Sequence, residues 1–219
     1  MTIDHPLGAV DLIDTPITGV KPARIFAGLK IEAEVARELA ELARPLERYG
    51  ARLVPKSDIH LTLVPPWNES HIGSAIETLR IVASGFNRFL LTFEHLGYGP
   101  SLRYPRLLWA DCVAGSELKE LQTALMAAYG RTDTRQFRPH VTLARILQNG
   151  RAAVRNHPID QPLSLTQCVA SVELFQSPLK GQSGYRVLAS LPLGAGLGIP
   201  QLGQSALTPA TGVPMKHRP

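Results

Sequence analysis

The stretches Ile59-His60-Leu61-Thr62-Leu63 and Pro139-His140-Val141-Thr142-Leu143 decide the reading of this chain. Each alternates apolar and polar residues, which is the pattern of a half-buried strand. Side chains alternate across a strand. Leu61 and Leu63 therefore turn toward a core while His60 and Thr62 share the opposite face. Val141 and Leu143 repeat the core face, and His140 and Thr142 the other. Each segment presents an imidazole and a hydroxyl about 7 Å apart along the strand. One such segment is a common accident, since threonine favours strands. Two of them at matching places in the chain form a pattern.

Around these segments the order of elements repeats. Arg24–Ile31 alternates like a strand, and Val35, Leu39, Leu42, Leu46 and Tyr49 then recur at helical spacing. Pro45 is expected to kink or end that helix, and Gly50 to stop it. Residues 51–64 read as strand with a Pro55-Lys56-Ser57-Asp58 turn inside. Asn68 is expected to cap a helix carrying Ile72, Ile76 and Leu79, closed by Gly85. Phe89, Leu91 and Phe93 mark a strand, and Pro100 to Pro105 a loop. The order restarts with a strand at 106–113. A helix follows, capped by Ser116, carrying Leu118, Leu121, Leu125 and Tyr129 and ended by Gly130. A strand at 139–147, a weak helix near 149–157, one strand through Cys168, Ala170, Val172 and Leu174, and a last strand at 185–191 complete it. The repetition predicts two similar lobes, each a small sheet covered by helices. Their expected spans are 23–100 and 105–193, within one domain at 23–193. Residues 1–22 read as an irregular extension. The Gly/Pro-rich tail from 194 to 219 is expected to be disordered.

Bulk properties narrow the classes. The chain has 219 residues, 44% hydrophobic and 19% charged, with a formal net charge of +5. That charge suits an anionic partner without requiring one. Cys112 and Cys168 lie in apolar strand-like runs and read as small buried hydrophobes, with neither disulfide nor metal spacing. No secretory signal and no apolar run of membrane-spanning length is present, so a cytoplasmic protein is the expectation.

The paired segments have a chemical use. A neutral imidazole takes a proton from water, and an imidazolium gives one to a leaving oxygen. A threonine hydroxyl donates to a phosphate oxygen. Two such strands facing each other across a groove put one imidazole on each side of a phosphorus, as in-line displacement requires. Between Arg131 and Arg155 there are six arginines and one acidic residue, Asp133. Arg138 and Arg145, nearest the second segment, are the candidate anion ligands. The bland alternative is a solvated basic face. Trp67, Tyr98 and Tyr104 are candidates for stacking on a base, with ordinary packing as the favoured alternative. His5, His71, His95 and His157 have no partner pattern, and Lys56 and Asp58 are expected to make the turn before the first segment.

The chain resembles the 2H phosphoesterase superfamily, and within it the 2′-5′ RNA ligases and RNA 2′,3′-cyclic phosphodiesterases. The resemblance rests on His60-Leu-Thr62-Leu and on Phe137-Arg-Pro-His140-Val-Thr142-Leu-Ala-Arg145. The opening Arg24-Ile-Phe-Ala and the closing Ser177-Pro-Leu-Lys-Gly and Gly184-Tyr-Arg-Val-Leu add to it. It covers roughly residues 23–192. It implies an α+β, bilobal fold with pseudo-twofold symmetry, mostly antiparallel sheet, helices outside and a histidine from each lobe in a central cleft. It further implies hydrolysis of a 2′,3′-cyclic phosphate to a 2′-phosphate without metal or cofactor. His60 would protonate the leaving 3′ oxygen and His140 activate water, or the reverse. The expected partners are RNA ends or nucleotide cyclic phosphates, met by a monomer. In one respect the chain departs from these enzymes: the first motif usually continues Phe-Leu-Gly, and here it continues Val64-Pro65-Pro66-Trp67. Competing functions are a phosphodiesterase of a small cyclic nucleotide or 2′-5′ oligonucleotide, a non-catalytic RNA- or nucleotide-binding module, and a two-histidine metal site. The last lacks an accompanying carboxylate or cysteine pattern.

Overall fold

The computed structural model describes residues 21–101, 103–179 and 184–194. The expected N-terminal extension up to residue 20 and the tail beyond 194 lie outside the described residues, as does His5. The strands are β1 (Ala23–Lys30), β2 (Ala51–Leu53), β3 (His60–Glu69), β4 (Phe89–Gly99), β5 (Leu107–Val113), β6 (His140–Ile146), β7 (Asp160–Val169), β8 (Ser171–Gln176) and β9 (Arg186–Pro192). The helices are α1 (Ala33–Ala43), α2 (Ile72–Ser84), α3 (Ser116–Ala128) and the short α4 (Arg151–Arg155). The strands order as β7-β4-β5-β6-β3-β1-β8-β9, with β2 added to β6, and every pairing between them is antiparallel.

Two strand groups are evident. β9-β8-β1-β3 and β6-β5-β4-β7 meet where the two histidine strands touch, at Leu61 opposite Val141. The bilobal, mostly antiparallel α+β architecture is therefore present. The lobes are not the expected consecutive halves 23–100 and 105–193. The first group takes β1 and β3 from the first half and β8 and β9 from the end of the chain. The second takes β4 from the first half. Helices cross over too: α1 follows β1 but lies against β6 and β7, and α3 follows β5 but lies against β3. Element order along a chain carries no information about which sheet edge a strand joins, so a swapped arrangement looks sequential.

Local expectations fare variously. Val35, Ala36 and Leu39 bury one face of α1, which stops before Pro45; a 3-10 turn runs on to Tyr49, and Gly50 ends it at φ +73°. Asn68 does not cap α2. It lies inside β3, and the Glu69 carboxylate instead accepts the backbone N–H of His71, at 2.8 Å. Ser116 is the first residue of α3, whose cap, Gly115, offers no side chain. The single strand expected through Cys168 and Leu174 is two strands broken at Ala170, β7 on one group and β8 on the other. β7 also begins as early as Asp160. Its outer edge is unpaired in the sheet order, which is where Pro162 is tolerated. Cys112 is buried as expected, Cys168 is half-buried, and both are free thiols.

Two buried polar side chains tie β1 to the strands that return late. Glu173, 2% exposed, accepts the backbone N–H of Lys30 and the hydroxyls of Ser171 and Ser190. Gln167 accepts from the Glu32 backbone and donates to the Lys30 carbonyl. A buried carboxylate is tolerable only when its oxygens are satisfied in this way. Among the described residues no helix is long and apolar enough to cross a membrane.

Candidate active site

Both histidine strands carry the same irregularity just after the threonine. Along β1 and β3 the register steps from Gly28 opposite Thr62 to Ala27 opposite Val64, leaving Leu63 as an extra residue. Along β5 and β6 it steps from Trp109 opposite Thr142 to Leu108 opposite Ala144, leaving Leu143 extra. A bulge of this kind shifts the alternation of side chains by one. Leu63 and Val64 are consequently both buried, as are Leu143 and Ala144. Strict alternation from His140 places Arg145 on the core face with Val141 and Leu143. The bulge brings it round instead to the cleft that His140 and Thr142 line. In the first strand the prolines sit at a second bulge, where Pro65 and Pro66 both fall opposite Phe26. The strand thus continues through Val64-Pro65-Pro66-Trp67 to Glu69 without needing the missing proline N–H groups.

His60, Thr62, His140 and Thr142 line one cleft of about 700 Å³. The two imidazoles are held in the same way. His60 Nδ1 lies 2.6 Å from the carbonyl oxygen of Asp58, and His140 Nδ1 lies 2.8 Å from that of Arg138. A carbonyl only accepts, so each Nδ1 carries the hydrogen. Each Nε2 is then left as the proton-exchanging nitrogen. The same two-residue reach back along the chain serves both strands.

Their surroundings differ. The His60 ring is boxed by Phe26, Phe175 and Tyr185, with ring centroids 4.8, 5.5 and 4.9 Å away. Burial among these rings pushes its pKa down; the Asp58 carbonyl and carboxylate oppose that, while Arg145 and His140 add to it. Asp58 itself is buried, and its carboxylate accepts from the Tyr185 backbone N–H and the Ser57 hydroxyl, so the chain before the first motif is tied to the aromatic wall. His140 packs on Trp109 at 4.2 Å. Burial lowers its pKa as well, against the Arg138 carbonyl and the Asp111 carboxylate.

Arg145 enters the cleft, and Arg52 and Arg24 join it. Arg52 stands opposite Arg145 in the β2–β6 pairing. None of the three is ion-paired with a carboxylate among the described residues. Arg138 does not line this cleft. Its guanidinium forms a bidentate pair with Asp111, at 3.1 and 2.9 Å, and lies 4.9 Å over Trp109. Asp111 also meets His95, whose other ring nitrogen is 2.5 Å from Asp160. Trp67 and Tyr98 are buried in packing, the Tyr98 hydroxyl donating to the His157 carbonyl, and exposed Tyr104 lies away from the cleft. The aromatic walls of the cleft are Phe26 and Tyr185.

Comparison with known proteins bears on the family and the fold. The family model described as the 2′-5′ RNA ligase superfamily matches residues 31–164. The crystal structure of TT0787 of Thermus thermophilus superposes with a TM-score of 0.67 at 23% identity, covering 80% of this chain and 100% of that one. E. coli LigT complexed with 3′-AMP gives 0.64 at 22% identity, covering 79% and 99%. E. coli LigT complexed with ATP gives 0.60 at 24% identity, again covering 79% and 99%. No curated protein matches. The structural likenesses establish the shared fold, and the family match spans both histidine motifs and more than half of the sequence: this chain belongs to the 2′-5′ RNA ligase superfamily, among the 2H phosphoesterases.

Proposed function

We propose that the chain is a metal-independent phosphodiesterase that opens an RNA 2′,3′-cyclic phosphate to a 2′-phosphate. The carrying observation is that both imidazoles, each with its Nδ1–H held by a carbonyl, line one cleft together with both threonine hydroxyls. Water forms a new bond to phosphorus as the bond from phosphorus to the 3′ oxygen breaks. His140 Nε2 takes the proton from water, and His60 Nε2–H gives one to the departing 3′ oxygen. Thr62 and Thr142 donate to the non-bridging oxygens, and Arg145 and Arg52 offset the charge gathering there. The products are a 2′-phosphate monoester and a free 3′ hydroxyl, and the two histidines end with protonation states exchanged.

The donor set supports a reaction without metal. Asp58, the one carboxylate lining the cleft among the described residues, is engaged by Tyr185 and Ser57 and buried beside His60 rather than paired with both rings. LigT complexes with 3′-AMP, ATP and NADP+ are consistent with a nucleotide ligand here. A panel of RNA 2′,3′-cyclic phosphate ends, mononucleoside 2′,3′-cyclic phosphates and 2′-5′-linked oligonucleotides, run in excess chelator, tests this reading. Turnover of cyclic phosphates to 2′-phosphates in chelator is expected. Loss of activity on chelation, or a 3′-phosphate product, contradicts it.

Acidity gives a second check. The free enzyme needs one neutral and one protonated imidazole, and burial holds both pKa values below the usual 6.5. The bell of kcat/KM against pH is thus expected to have both limbs below 6.5, with activity falling off before neutrality. A bound phosphate anion favours the charged rings, so the limbs of kcat lie at higher pH than those of kcat/KM. An alkaline limb of kcat/KM above the ordinary imidazole range rules out these two groups as the acid and base.

A further inference from the structure

A second basin, of about 870 Å³, opens on the other side of the reaction centre. It shares Thr62 and His140 with the first cleft, so it starts where the phosphate sits. Its floor holds Trp109, Phe137 and Met126, and its rim Arg131, Arg135 and Arg138. The three arginines are not equivalent. Arg135 is closed onto Asp133 by a bidentate pair. The Arg138 fork is filled by Asp111 and one of its faces lies over Trp109, yet its side chain is 58% exposed. What it still offers is the outer face of a planar cation. Arg131 has no carboxylate partner among the described residues and is free to meet an anion.

A flat cationic face, an unpaired guanidinium and an apolar floor beside the scissile phosphate form a nucleotide subsite. We infer that this basin holds the nucleotide adjoining the reacting one, its base laid on Arg138 and its phosphate met by Arg131. The inference rests on the proposed function for where the reacting phosphate sits, and it narrows the substrate class. The end of an oligonucleotide is bound in preference to a cyclic mononucleotide, which leaves the basin empty.

Calorimetric titration with a mononucleoside 3′-phosphate and with a dinucleotide ending in a 3′-phosphate tests it without requiring turnover. The wild-type chain is expected to bind the dinucleotide about tenfold more tightly, the scale of one stacked base. Arg138→Lys keeps the charge beside Asp111 and loses the planar face, and Arg131→Ala removes the anion contact. Arg138→Lys, which removes the stack, is expected to shrink the dinucleotide advantage to about twofold, and Arg131→Ala, which removes the remaining anion contact, to about fivefold. Equal affinities in the wild type, or an advantage that survives both substitutions, overturns the subsite. Failure of the proposed function looks different: the dinucleotide advantage is present and no cyclic phosphate is turned over.

Discussion

His60→Ala and His140→Ala are each expected to lower turnover of an RNA 2′,3′-cyclic phosphate by about 10³-fold while the fold survives, the usual range for a positioned acid or base being about 10²–10⁴. Each ring is only partly buried and borders a cleft open to solvent, so its removal enlarges the cleft rather than sealing a void. The stability cost is about 1 kcal/mol, larger for His60 of the two because three aromatic rings lose a neighbour. The double variant is expected to lose little beyond the worse single one, because acid and base serve one transition state and act as a unit. Single-turnover rates with circular dichroism as the fold control decide the matter. Two single variants within about tenfold of wild type would remove both imidazoles from the chemistry.

Gly28→Ala carries the second large effect, on stability and activity together. Gly28 stands opposite Thr62 at the bulge, and a Cβ there would lie 2.4 Å from the carbonyl oxygen of Leu61 and 3.4 Å from its carbon. Both are backbone atoms, so no rotamer relieves the clash and β1 must part from β3. About 3 kcal/mol of stability is expected to go, in line with overpacking at a site that cannot relax. Molecules that stay folded are expected to be poorly active as well, because the pairs Gly28–Thr62 and Lys30–His60 hold the first motif in place. Gly73→Ala is the matched control: in α2 with nothing within 4 Å of the added methyl, it is expected to be neutral or stabilising by about 1 kcal/mol. Urea unfolding of the two variants side by side measures the contrast, and a Gly28→Ala chain as stable as wild type means the bulge has slack.

The two histidine strands are legible because a period of two is written residue by residue, and the core faces of Leu61 and Val141 are where the pattern puts them. The bulges are not. Thr62-Leu63-Val64 and Thr142-Leu143-Ala144 each set two apolar residues in a row, but that break does not by itself say a bulge is present, and only the partner strand reveals the extra residue. Nearness to the motif points to Arg145, which lines the cleft, and to Arg138, which lines the neighbouring basin instead, its fork closed by a carboxylate 27 positions away in sequence. Arg24, Arg52, Phe26 and Tyr185 reach the cleft from segments that share no local pattern with it. Their signal is faint: Arg24, Phe26 and Tyr185 lie inside stretches that resemble the family, and Arg52 carries none. Asn68 fails as a cap because the neighbouring Glu69 already holds the backbone N–H of His71 at the start of the helix.

The crossing of β7 into β8 at Ala170 has a consequence for how the molecule comes off the ribosome. Lys30 and Glu173, hydrogen-bonded across β1 and β8, are 143 positions apart. At ordinary rates of synthesis the early strand waits on the order of 10 s for that partner. A nascent chain that has reached the end of β4 holds β1 beside its partner β3, but β4 belongs to the other strand group and neither of its partners, β5 and β7, has yet been made. The first imidazole strand has both of its neighbours, β1 and β6, once residue 146 is made, whereas β1 still waits for β8, and Phe175 and Tyr185, which wall the His60 ring, come from the same late stretch; closure of the cleft around His60 therefore follows synthesis of residues 171–185.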